Sequence, residues 1–126
     1  MRGHVGDDSA IATAKREIDR LNERRHELVE AIDAAIDASI PQVAAATPST
    51  ESPGMAFDRL SVLVLRIHHT EAAATEGRDP VGMTARLPVL RTQLAVLEEA
   101  IGALLDEVRA GTRRFVPHRS LKLYGP

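Results

Sequence analysis

The chain contains no cysteine and no tryptophan, and its 126 residues include one tyrosine and two phenylalanines. Without cysteine there is no disulfide framework and no thiolate-held metal. With aromatics at 2%, the stacking platforms that grip single-stranded nucleic acid are nearly excluded. Lysine occurs only at Lys15 and Lys122, so the positive charge is almost entirely arginine. No apolar run approaches the roughly 20 residues needed to span a bilayer. The opening MRGHVGDDSA lacks the apolar core of a secretory signal, and a soluble cytoplasmic protein is expected.

What is present is helical pattern. Hydrophobic residues make up 44% of the chain and the formal net charge is −2. That length suits one domain with a modest core. Three helices are expected, at about 9–40, 53–76 and 80–110, with a linker at 41–52 and an extended arm at 112–126. In the first, Asp8 or Ser9 is the expected cap, Pro41 the stop, and Ile11, Ile18, Leu21, Leu28 and Ile32 the buried stripe. The linker stretch VAAATPSTE is too poor in bulky apolar residues to order itself. Ser52-Pro53 and Asp79-Pro80 each read as a cap followed by a proline whose missing N–H costs nothing. In the third helix Leu87, Leu90, Leu94, Leu97, Ile101, Leu104 and Val108 form an unbroken seam, which Pro88 should kink or truly begin. Gly111 is its natural end. The expected fold is an all-α antiparallel bundle of three long helices.

The second helix is apolar on more than one face. Ala56, Leu60, Leu63, Val64 and Ile67 fill one side, and Val62 and Leu65 lie opposite them. Such a helix is usually central, and with two others to cover it a homodimer is the simplest expectation.

Polar residues interrupt these faces. Asn22 and Arg25 stand in the first helix's packing seam, where a charge is costly unless paired; Asp58, Asp19 and Glu99 are candidate partners. One reading places Asn22, Arg25, Arg59, Arg66 and His69 in a shared cleft. Guanidinium groups there would hold a carboxylate or phosphate, and His69 would move a proton near neutral pH. The other reading is an ion-pair network that fixes helix register. Glu23-x-x-His26 has the spacing of one half of a di-iron site, but a single copy on the outward face reads as a solvated pair. No phosphate loop, dinucleotide fingerprint or HExxH is present, and no cofactor is expected. After Glu107 the chain has no acid, while Arg109, Arg113, Arg114, Arg119 and Lys122 follow. Five charges beside an acidic body make a poor nucleic-acid footprint.

Three segments in order, AKREIDRLNERRHELVEAID (14–33), SPGMAFDRLSVLVLRIHHTE (52–71) and GTRRFVPHRSLKLYGP (111–126), resemble the bacterial family known as domain of unknown function 4254. The resemblance rests on a helix of the form K-x-x-I-D-x-x-N-x-x-R, a helix continuing D-R-L-S-I-L-x-L-K-I-Y-H-M, and a closing tail like Y-R-Q-F-K-M-Y-N-D. The positions that match are Asp19, Asn22, Arg25, Asp58, Arg59, Ser61 and His69, with Arg66 where the family has lysine, and Arg119, Lys122 and Tyr124 in the tail. His68, His118 and Gly125-Pro126 depart from the pattern, and a leading helix of the form H-x-x-N-x-x-L-W has no counterpart. The segment KREIDRLNERRHELVEAID is also similar to the first helix of helical chorismate mutases, with Lys15 in place of one anion-binding arginine and Ile32 in place of the other.

The expected function is therefore a small cofactor-free protein that binds or transforms an anionic small molecule in a biosynthetic pathway. His69, Asp58 and Asp19 would be its catalytic groups. Asn22, Arg25, Arg59 and Arg66 would hold the ligand, and the family resemblance adds Arg119, Lys122 and Tyr124. The alternative is a non-catalytic helical module that docks a partner protein.

Overall fold

A computed structural model describes residues 4–78 and 80–119. The chain is an all-α bundle. Helix α1 runs His4–Ser39, α2 Pro53–Thr75 and α3 Leu87–Ala110, and a 3-10 helix at Pro80–Arg86 leads into α3. Two short strands, β1 (Thr47–Pro48) and β2 (Arg113–Arg114), pair in parallel, with Thr47 opposite Arg113 and Pro48 opposite Arg114.

Helix α2 is central. It packs on α1 along one side and on α3 along the other, while α1 and α3 do not meet. The directions are antiparallel: Asp33 near the end of α1 meets Gly54 at the start of α2, and Arg25 meets Asp58. The main core lies between α2 and α3, where Leu63 and Ile67 pack with Leu87 and Leu90, and Leu94 and Leu97 lie against them. Ile101 and Val108 continue the α3 seam and are buried. Proline 88 falls in the first turn of α3, where its missing N–H breaks no bond, so the α-helix begins at Leu87 and the preceding turns are 3-10. At the other end Gly111 adopts φ 79°, the left-handed cap geometry that closes the helix. Among the described residues no helix is long and apolar enough to cross a membrane.

Helix α1 departs from expectation twice. It begins at His4, so Asp8 and Ser9 lie within it rather than capping it. Its apolar stripe is also not buried: Ile11 is 67% exposed, Ile18 57%, Leu21 54% and Leu28 54%. The face that meets α2 is a neighbouring one carrying Val29 and Asp33, both buried, with Ile32 and Ile36 half-buried beside them. Every described side chain from Asp7 to Leu28 is exposed.

The segment between α1 and α2 is ordered, contrary to its composition. The Ser49 N–H donates to the Arg114 carbonyl at 2.7 Å, Arg114 Nε donates to the Ala46 carbonyl at 3.0 Å, and the Phe115 N–H donates to Gln42 Oε1 at 2.7 Å. Buried Ala46 and Phe115 belong to this junction. A partner from the far end of the chain supplies the order that local sequence cannot.

Candidate functional site

The polar architecture starts at the N-terminus of α2. Buried Ser52 caps the helix, its hydroxyl accepting from the Met55 N–H at 3.3 Å. Proline follows, and then Gly54 allows α1 to approach closely. A Cβ at Gly54 would lie 2.5 Å from the Val29 carbonyl oxygen and 2.8 Å from Asp33 Oδ1. That approach lets the Gly54 N–H donate to Asp33 Oδ1 at 2.7 Å. The other Asp33 oxygen accepts from the His118 N–H at 2.8 Å. Asp33 is fully buried. Its charge sits at the positive end of α2 and ties together α1, α2 and the C-terminal segment, 85 residues along the chain from itself.

One turn further along α2, Asp58 binds Arg25 through two parallel bonds, Nε to Oδ1 at 2.9 Å and Nη2 to Oδ2 at 2.7 Å. Arg25 Nη1 also donates to Asn22 Oδ1 at 3.4 Å. The hydrogen bonds from Arg25 hold the Asp58 carboxyl below its usual range, opposed by partial burial and helped by the charges of Arg25 and His26. The same bonds hold the Arg25 guanidinium above its own. The Arg25 and Asp58 side chains remain 44% and 27% exposed, so this is a rim pair rather than a buried network.

Two of the clefts beside this frame adjoin each other. The smaller, about 360 Å³, lies among α1, α2 and the C-terminal segment, lined by His26, Val29, Glu51, Met55, Asp58, Arg59, Val62 and His118. The His26 and His118 rings lie 6.4 Å apart across it. The larger, about 640 Å³, lies between α2 and α3. Val62, Leu63, Val96, Leu97 and Ala100 give it apolar walls, and Glu51, Arg59, Arg66, Thr92 and Gln93 its polar groups. Glu51, Arg59 and Val62 line both clefts, so the two adjoin. Arg59 donates to Glu51 at 2.8 Å. Among the described residues no carboxylate pairs with Arg66.

The residues singled out in the sequence thus fall into separate groups. Asn22, Arg25 and Asp58 come together. Arg59 and Arg66 share the larger cleft. His69 lines neither cleft; it is exposed, with its ring 5.7 Å from that of His68. Asp19 is exposed on α1, six residues before Arg25 and about 9 Å from it along the axis. Ser61 donates its hydroxyl to the Asp58 carbonyl at 2.7 Å. Arg119 is exposed beside His118, and Lys122 and Tyr124 lie outside the described residues. Lys15, which stands where the helical mutases carry an anion-binding arginine, is exposed on α1. Among the described residues there is no group of three or more potential metal ligands.

Asp33 and Glu51 carry no expectation from the sequence, and His26 and His118 figure there only as a solvated residue and a departure from the family pattern. Asp33 did leave a signal, since it interrupts the Val29–Ile36–Ile40 row with an acid. His26 does not point away from the bundle: the packed face of α1 is centred on Val29 and Asp33, which brings His26 to the edge of the smaller cleft.

A family model described as "Protein of unknown function (DUF4254)" matches residues 2–116, nearly the whole chain. No curated protein and no solved structure matches it.

Proposed function

We propose that this chain, which belongs to the family of proteins of unknown function DUF4254, binds a small anionic molecule with an apolar body in the groove between α2 and α3. The observation that carries this reading is Arg66, a cation without a carboxylate partner among the described residues, at an apolar groove of about 640 Å³. That volume falls within the range of small-molecule pockets, roughly 300–1,000 Å³. Arg59 is the second cation. Its pair with Glu51 leaves the arginine side chain 64% exposed, and a pair so exposed is weak enough for a ligand anion to compete. Thr92 and Gln93 add polar groups at the wall, and Leu63, Val96 and Leu97 receive the apolar part.

Arg25 plays a different part. Its guanidinium is committed to Asp58 and fixes α1 against α2, so holding the anion passes to Arg59 and Arg66. In the adjoining cleft His26 and His118 are the groups placed to exchange a proton with a ligand that extends past Arg59.

The test is calorimetric titration with octanoate and with octanamide, its uncharged counterpart. Octanoate is expected to bind and octanamide to bind at least about tenfold more weakly, since a charge-assisted hydrogen bond is worth about 1.5–3 kcal/mol. Arg66→Gln should abolish the difference. Equal binding of the two probes, or full discrimination retained in Arg66→Gln, would count against the reading.

A further inference from the structure

The N-terminal half of α1 carries an apolar seam that the described residues leave largely exposed. From Ile11 to Leu28 the seam steps by three and four residues in strict alternation, through Ala14, Ile18, Leu21 and Arg25. This is the 3.5-residue repeat of a coiled coil. Its four large apolar members are all more than half exposed; only the Arg25–Leu28 end of the stretch reaches α2, through the Arg25–Asp58 pair and a small cavity that Leu28 lines with Phe57 and Ser61. A lone helix of this length is marginal in water, and an amphipathic one is stabilised chiefly by what covers its apolar face.

We propose that the occupant is the same helix of a second copy, running antiparallel, about a two-fold axis that passes between residues 19 and 20. The sequence is self-complementary in that register and in no parallel one. Turned end for end, Ile11 faces Leu28 of the other copy, Ile18 faces Leu21, and Ala14 faces Arg25. Each long side chain meets an apolar or small one. The methyl of Ala14 leaves room for the Arg25 stem to lie across the seam while its guanidinium stays on Asp58. A parallel pair would stack Arg25 on Arg25, two like charges in one seam. On the flank, Glu17 of one helix comes opposite Arg24 of the other, and the two-fold repeats this contact. Glu17 already touches Arg20 of its own helix at 3.2 Å, an exposed contact of little energy that does not compete strongly. The paired length is about 27 Å of helix from each copy. The second copy's Ala14 then lies beside the Arg25–Asp58 pair.

Sedimentation velocity on the full chain should give twice the chain mass at sub-millimolar concentration. Ile18→Glu should raise the dimer dissociation constant by roughly a hundredfold or more by burying two charges at the seam, with helical dichroism lost only from the uncovered half of α1 and the α2–α3 core still unfolding cooperatively in urea. Val89→Glu, at an exposed valine of α3 outside the seam, should leave the dimer intact. Glu17→Arg should weaken association, and Glu17→Arg with Arg24→Glu in one chain should restore it. Because the chain lacks cysteine, direction is read by cross-linking. Ile11→Cys and Leu28→Cys chains should form disulfide-linked dimers when mixed, and neither should do so alone. A monomeric wild type, a dimer indifferent to Ile18→Glu, or cross-linking of Ile11→Cys with itself would overturn the proposal.

Discussion

Replacing Asp33 with asparagine should cost this small protein a large part of its stability. The side chain keeps its size, so packing around it is preserved, but one carboxylate oxygen becomes an NH₂ group. Both oxygens accept backbone N–H groups in wild type, from Gly54 at 2.7 Å and His118 at 2.8 Å. Whichever way the amide turns, a donor faces a donor. One charge-assisted bond is lost and one buried N–H is left without an acceptor, each worth about 1–3 kcal/mol. The lower desolvation cost of the neutral amide offsets part of this. A net loss of about 2–3 kcal/mol is expected for Asp33→Asn, and about 3–5 kcal/mol for Asp33→Ala, which orphans both donors and opens a cavity. Urea unfolding followed by far-UV circular dichroism is the suitable assay, because the chain has no tryptophan to report by fluorescence. Protein concentration must be held fixed, since association would shift the midpoint. An Asp33→Asn midpoint equivalent to within about 0.5 kcal/mol of wild type, the range of an ordinary surface change, would refute the clasp.

Three further outcomes follow from the same frame. Gly54→Ala should destabilise by about 2 kcal/mol or more in the same urea assay, because the added Cβ lands 2.5 Å from a backbone oxygen that cannot swing away. Gly111→Ala should cost about 1–2 kcal/mol, since alanine is strained at φ 79° and its methyl would lie 2.9 Å from Val43 Cγ2. The Asp58 carboxyl is held below its ordinary value of 3.8 in the folded chain, so its stabilisation is fully present above that pH. It is lost as pH falls through the depressed folded value, because the unfolded chain takes up the proton first. Screening at this partly exposed pair keeps the effect under about 1 kcal/mol, and it should appear as a stability difference from Asp58→Asn that shrinks in acid.

Much of the helical frame can be read directly from residue pattern. The Leu87–Val108 seam, the Ser52-Pro53 start and the Gly111 stop are local signals, and local geometry realises them. The apolar face of α1 was equally legible as a pattern, but a pattern records that a face needs covering and not what covers it. The order of the linker is not legible locally because it comes from β2, on the far side of α2 and α3 in sequence. Asp58 was one of three candidate partners for Arg25, and only the crossing of α1 and α2 selects it. Asp33 was hidden among Glu27, Glu30 and Asp37, where one more acid looks like a solvated face. His26 and His118 meet only because the Asp33 clasp brings the C-terminal segment back across α1.

The measurement that bears most directly on the central claim is an amide-resolved NMR titration of the full chain with octanoate. Saturable shifts concentrated at Arg59, Leu63, Arg66, Gln93, Val96 and Leu97, and absent from an Arg66→Gln variant, are the predicted result. Saturable shifts centred instead on His68, His69 and Asp19, or a response identical in wild type and Arg66→Gln, would contradict it.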